Sequence, residues 1–132
     1  MFRAMRPVCI AVALVLCACQ QQSPDEKLKD TAKTAASWAA TLSFAGEQWI
    51  ANRVPKRFIR TAVDAAKTGF DRSQKEVSGS GASRSQRDRI GHDIAEANRL
   101  GSQLRDVADR GDRTAAAALA SRLDHVAKDL LR

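Results

Sequence analysis

A seven-residue repeat of small and apolar side chains dominates the first third of the chain. Its members recur at alternating steps of four and three: Leu28, Ala32, Ala35, Ala39, Leu42, Gly46 and Trp49. This spacing places them on one face of an α-helix, whereas a strand, with its period of two, would scatter them over both faces. Because most of these residues are Ala or Gly, another helix can approach closely. The repeat therefore predicts a long helix packed against other helices.

Three further apolar stripes with helical spacing follow. Their inward faces are predicted to be Ile59, Val63, Ala66 and Phe70, then Ile90, Ile94, Ala97, Leu100, Leu104 and Val107, then Leu119, Leu123, Val126 and Leu130. The helices are expected over 23–51, 55–77, 84–110 and 112–131, with a flexible linker over 78–83. No segment between them alternates as a half-buried strand does. The fold class is therefore all-α, an antiparallel bundle of four helices, or of three if the last two form one broken rod.

Capping residues support these boundaries. Ser23 is expected to cap the first helix, with Pro24 at its first position. Either Ser83 or Ser85 suits the start of the third helix. Gly111 is predicted to end that helix in a left-handed conformation, and Asp112 to cap the fourth.

The first nineteen residues have a different character from the rest of the chain. Arg3 and Arg6 precede an apolar run that, even when extended to Cys19, is only about 12 residues long. A spanning helix needs roughly 20, so the run indicates a secretory signal. All 3 cysteines of the chain lie in this segment.

The end of the signal segment carries a recognisable motif. In Leu16-Cys17-Ala18-Cys19, an aliphatic residue stands third before a cysteine and a small residue immediately before it. This motif resembles the lipobox of bacterial lipoproteins. The resemblance implies that Cys19 carries a diacylglyceryl group, that residues 1–18 are removed, and that residues 19–22 form the lipidated cysteine and a short tether to a bundle over 23–132. Ordinary cleavage and a retained anchor are the alternatives.

The residue after the cysteine bears on the compartment. In the lipoproteins that the segment resembles, an Asp there often signals retention in the inner membrane, and this chain has Gln20. The expected location is the periplasmic face of the outer membrane, with the inner membrane as the alternative.

The chain after residue 19 offers little for catalysis. Once the signal segment is removed, no thiol remains for a disulfide, a metal site or a nucleophile. His92 and His125 each have an adjacent Asp, but adjacent helical residues point about 100° apart and form no ready relay. Gly-rich phosphate loops and His-Glu-x-x-His motifs are absent from the sequence. We therefore expect no enzyme, no catalytic residue, no cofactor and no metal.

The chain has a net charge of +7, and after the signal segment two groups of cations are the least balanced by acids. The first is Arg53, Lys56, Arg57 and Arg60, with no acid between Glu47 and Asp64. On an upright first helix this turn lies farthest from the lipid, so it is either a solvated turn or a contact for a partner. The second is Arg84, Arg87 and Arg89, offset only by Asp88. In an antiparallel bundle these residues return toward the membrane, where they are expected to meet anionic headgroups.

These features predict a non-enzymatic tether or accessory factor of an envelope or secretion complex. Its expected partners are the membrane, through the covalent lipid, and an envelope protein. A second copy of the chain is an open possibility because an alanine seam suits self-association. A basic chain also suits nucleic acid, but secretion argues against that partner. The alternative function is a binding module for a lipid or small amphipathic ligand held between two helical hairpins near Trp38, Trp49 and Phe70.

Overall fold

The computed structural model describes residues 22–132, and the expectations on Cys19 and the signal segment lie outside this range. The described residues form four helices and no strand. The helices are α1 (Pro24–Ile50), α2 (Lys56–Ser78), α3 (Arg84–Asp109) and α4 (Arg113–Leu130). Each begins and ends within one residue of its predicted range. The fold is all-α, and α3 and α4 are separate helices.

The helices form a square in chain order. α1 packs against α2 and α4, α3 packs against the same two helices, and α1 and α3 also touch across the diagonal. Short turns make neighbouring helices antiparallel. The proximal end of the bundle therefore contains the start of α1, the linker 79–83 and the end of α4. The distal end contains the turns 51–55 and 110–112.

Three polar caps begin helices as the sequence predicts. Ser23 Oγ accepts a hydrogen bond from the Glu26 amide at 3.2 Å, and Asp112 accepts one from Ala115. For α3 the cap is Ser83, whose Oγ accepts from the Gln86 amide. Pro55 has extended geometry and precedes the first residue of α2, so that helix begins one residue later than expected.

Both distal turns end their helices in the same way. After α1, Asn52 has a φ of 60°, and the Arg53 amide donates to the Gln48 carbonyl. After α3, Gly111 has a φ of 71°, and the Asp112 amide donates to the corresponding carbonyl of Val107. Each is a left-handed cap that satisfies carbonyls left open at a helix end. The sequence indicated this conformation for Gly111 and not for Asn52.

One hydrophobic core runs the length of the bundle. Every residue predicted on the four inward faces is buried. The pattern of α2 also predicts Phe58, Ala62 and Ala65 beside its inward face; Ala62 is half-buried, and Phe58 and Ala65 are exposed. The core is filled by Ala, Leu, Val and Ile side chains together with Phe70 and Trp49, and it lies between residues 28 and 130.

Close approach between helices depends on small residues. Across the diagonal, Leu104 of α3 packs against Gly46 of α1, while Leu42 of α1 packs against Gly101 of α3. Between α1 and α4, the buried Ser43 Oγ donates a hydrogen bond to the Ala120 carbonyl at 2.7 Å. The alanine seam of α1 is therefore used within one chain, against its own α3 and α4.

Candidate functional site

The first basic group of the sequence lies at the distal end, where half of it is paired. Lys56 Nζ donates to the backbone carbonyl of Asp109 at 2.9 Å, and Arg60 Nε contacts the Asp109 carboxylate at 2.9 Å. Asp109 is the last residue of α3, where the helix dipole favours cations. These two side chains therefore connect α2 to α3 and restrain the turns.

Arg53 and Arg57 form the other half of this group. Both are exposed, and within residues 22–132 neither side chain makes an ion pair or a hydrogen bond. Phe58 follows directly and keeps 43% of its surface exposed. We call these three residues the distal patch. It combines two free guanidinium groups with an exposed aromatic ring.

Arg113, at the start of α4, stabilises the distal end through contacts with α1 and the turn that follows it. Its guanidinium lies 4.9 Å from the centre of the Trp49 ring, within cation–π range. It also donates to the Ile50 carbonyl at 3.4 Å and to the side-chain oxygen of Asn52. One side chain of α4 thus covers a buried tryptophan and holds the turn between α1 and α2. Sequence reasoning missed this residue, because nothing local relates Arg113 to residues 49–52.

The second basic group lies at the start of α3, on two sides of the helix. Arg84 is highly exposed and lies 3.9 Å from Asp88, while Arg89 points toward α4 and donates to the Asp129 carbonyl at 3.3 Å. Arg87 is half-buried, and its Nε is buried without a hydrogen-bond partner among the described residues. Arg84 and Arg87 are three residues apart and lie on one side of α3, whereas Arg89, two residues after Arg87, lies on another.

Among the described residues, two of the surface pockets at the proximal end border α1. One of about 230 Å³ lies where α1, α3 and α4 meet, and its floor includes Leu28, Ala32, Ile90 and Leu130. Its rim carries Lys29, Lys33, Arg89 and Arg132 against a single acid, Asp25. We call it the α4-side pocket. The other, of about 600 Å³, lies between α1, α2 and the linker, and its charged lining is Lys27, Asp30 and Glu76. We call it the linker-side pocket.

A charged cluster spans α3 and α4 halfway along their outer surface. Glu96 contacts Arg99 at 2.6 Å and Arg122 of α4 at 3.0 Å. The hydrogen bond from Arg99 and the charges of both arginines hold the pKa of Glu96 below its ordinary value. One turn earlier, burial and the neighbouring Asp129 raise the pKa of Asp93. The pKa values of these two carboxyl groups are therefore shifted in opposite directions from their ordinary values.

The histidines do not form a metal site with these acids. His92 and His125 are exposed on α3 and α4. Among the described residues, no group of three or more His, Cys, Asp or Glu side chains is arranged to hold a metal ion.

The aromatic residues named for the alternative function are used in packing. Phe70 is 1% exposed, Trp49 is 5% exposed beneath Arg113, and the half-buried Trp38 lies against Gly69. None of the three lines either proximal pocket.

Comparison with known protein families, curated proteins and solved structures finds no match for this chain. None of the helices within residues 22–132 combines the length and the apolar character needed to cross a bilayer.

Proposed function

We propose that this protein is a non-enzymatic, lipid-anchored tether that presents its distal patch to an envelope protein in the periplasm. The observation that carries the proposal is the contrast within the distal basic group. Lys56 and Arg60 are held by Asp109, while Arg53 and Arg57 extend into solvent beside an exposed Phe58. A turn restrained by Asp109, with two exposed guanidinium groups and an exposed aromatic ring, suits a partner that offers carboxylates and an apolar pocket.

The anchor is proposed from the lipobox-like segment ending at Cys19. α1 begins at Pro24 and is capped by Ser23, so only Gln20, Gln21 and Gln22 separate the cysteine from the bundle. Three residues extend at most about 11 Å. The partner must therefore come to the membrane, which we propose to be the outer membrane on its periplasmic face.

The length of α1 supports the placement of the distal patch. A helix of 27 residues is about 40 Å long. If α1 stands upright on its tether, Arg53 and Arg57 lie that far from the lipid. A tether of this kind fixes the distance at which a partner is engaged, and it needs no catalytic group.

In-cell crosslinking of the lipidated protein, followed by purification and mass spectrometry, tests the distal patch. The test variant is Arg53→Gln with Arg57→Gln. The matched control is Lys67→Gln with Arg72→Gln, which removes the same charge from exposed cations of α2 that form no ion pair or side-chain hydrogen bond within residues 22–132. We expect the distal variant to lose the captured protein and the control to retain it. Equal capture by both variants would refute a role for the distal patch.

The anchor requires a separate test. Cys19→Ser is expected to move the protein from the membrane fraction to the soluble periplasmic fraction. Tight membrane binding by this variant that persists in a high-salt wash would contradict the lipobox interpretation, because salt screens electrostatic attachment to a bilayer but does not release a lipid anchor. The competing function, binding of a lipid or amphipathic ligand between the hairpins, predicts a change in tryptophan fluorescence on adding the ligand and no captured protein. Capture of the chain alone would indicate a second copy as the partner.

A further inference from the structure

The two pockets at the proximal end of the bundle differ in the charges that line them. The α4-side pocket has four cations on its rim and one acid, whereas the linker-side pocket has one cation and two acids. Asp93 and Asp129 lie beside the rim, where Asp129 contacts Arg132 at 3.2 Å and its carbonyl accepts from Arg89. The cations of α3 and α4 are therefore partly offset.

The cations of α1 are not offset in this way. Lys29 and Lys33 are exposed, and within residues 22–132 neither ammonium group forms an ion pair or a hydrogen bond. Asp25 stands one turn before Lys29 without forming an ion pair to it. Lys29 and Lys33 lie one turn apart on the side of α1 that borders the α4-side pocket. They provide two free positive charges at the same edge.

An exposed apolar side chain completes this surface. Leu131 caps the C-terminus of α4 with 61% of its surface exposed, and it lines the same pocket beside Leu130 and Ile90. A leucine in this position stays in contact with water in the isolated bundle. Insertion of its side chain below the headgroups of a bilayer would remove that contact and contribute favourable free energy.

We propose that this surface, consisting of Lys29, Lys33, Arg89 and Leu131, docks on a bilayer that contains anionic phospholipids. The cations meet the phosphate groups, and Leu131 enters the apolar layer beneath them. The surface lies at the end of the bundle where α1 begins, so docking would hold the helices upright and direct the distal patch away from the membrane. The inference deepens the proposed function by supplying an orientation, but docking itself does not depend on the lipid at Cys19.

Docking is measured with a chain from Gln20 to Arg132, which lacks the anchor and contains the whole core. The chain is sedimented at low ionic strength with vesicles of equal parts phosphatidylglycerol and phosphatidylethanolamine, and separately with phosphatidylcholine vesicles. We expect strong preference for the anionic vesicles. Lys29→Gln with Lys33→Gln should lower the partition coefficient at least about tenfold, and Leu131→Ser should lower it about threefold or more.

Two control variants make the assignment specific. Lys67→Gln with Arg72→Gln and Arg53→Gln with Arg57→Gln remove the same net charge elsewhere, and each should change partitioning less than about threefold.

An equal loss in all the charge variants would mean that only net charge is sensed, and absence of binding to anionic vesicles would exclude docking. Loss of vesicle binding in millimolar inorganic phosphate, but not in sodium chloride of equal ionic strength, would indicate a phosphate site instead of a bilayer surface and would overturn the proposal. The sedimentation measurement contains neither the lipid anchor nor the protein partner. A negative result would therefore exclude docking and leave the crosslinking and fractionation tests of the proposed function unaffected.

Discussion

The indole ring of Trp38 lies directly over Gly69, where α1 and α2 pack side by side. A β-carbon at position 69 would come within 2.6 Å of two ring atoms, Cδ1 and Cε2. Ordinary contacts between such atoms are longer than about 3.5 Å. The glycine is therefore required for space, and the half-buried ring occupies the position that a side chain on α2 would take.

Gly69→Ala is expected to lower the free energy of unfolding by about 1–3 kcal/mol. The clash with Trp38 outweighs the gain of roughly 1 kcal/mol that alanine brings to a helix interior. Urea denaturation followed by circular dichroism measures the change. In a Trp38→Ala background the same substitution should become neutral or stabilising. Gly91→Ala is the control, because its β-carbon would meet nothing closer than 3.5 Å and should stabilise the protein.

Ser43→Ala tests the contact between α1 and α4. The variant loses the buried hydrogen bond to the Ala120 carbonyl, which contributes about 1 kcal/mol. The control is Ser37→Ala on the exposed side of the same helix, which has the same gain in helix propensity and loses no interhelical bond. We expect Ser43→Ala to be less stable than Ser37→Ala by about 1 kcal/mol. Equal urea midpoints for the two variants would show that the bond contributes nothing net.

Arg113→Ala should loosen the distal end. It removes the cation above Trp49 and the hydrogen bonds to Ile50 and Asn52, for an expected loss of about 1–2 kcal/mol. Trp49 should become more accessible to acrylamide quenching in a protein whose Trp38 is replaced by Phe. Arg110→Ala removes a neighbouring charge that forms no ion pair or hydrogen bond within residues 22–132, and it should leave quenching unchanged.

Glu96 is expected to make stability depend on acid pH. Its folded-state pKa lies below the ordinary 4.5, so the carboxylate stabilises the native state at neutral pH, and this contribution is lost as pH falls through the depressed pKa. Glu96→Gln should be less stable than wild type at pH 7 by about 0.5–1 kcal/mol. The two proteins should converge in strong acid. A constant difference across the range would contradict the assignment to charge.

Asp93 should show the opposite sign. Burial and Asp129 raise its folded-state pKa above the ordinary 3.8, so ionisation at neutral pH opposes folding, and the penalty disappears as pH falls below that ordinary value. Asp93→Asn is therefore expected to raise the urea midpoint at pH 7 and to have little effect near pH 3. Asp71→Asn, at an exposed position, should have no comparable effect.

Local patterns predicted most of this fold. Apolar spacing placed the buried faces, and Ser23, Gly111 and Asp112 located helix ends, because caps and periodicity depend on residues a few positions apart. Asn52 escaped prediction because a left-handed asparagine is one of several conformations open to it. The outward position of Phe58 depends on how α2 is rotated in the bundle, which the spacing of its own residues does not determine.

Less of the candidate site could be predicted. Four clustered cations in residues 53–60 suggested one free basic turn, but Asp109, nearly fifty residues away, binds two of them. In the same way, Arg89 is close in sequence to Arg84 and Arg87 but lies on another side of α3, whereas Lys29, Lys33 and Arg89 line one pocket only through the packing of α1, α3 and α4. Pairings of this kind require the relative positions of whole helices.

The square arrangement of the helices has a practical consequence for anyone who modifies the protein. Gln22, the linker 79–83 and Arg132 all lie at the proximal end, and the distal end has only two tight turns of five and three residues. An affinity tag after Arg132, or a fluorescent protein inserted near Gly81, would therefore emerge beside the proposed bilayer surface and obstruct it. A single dye attached to a cysteine substituted on the outer side of α2, near Lys67, would leave both ends of the molecule uncovered.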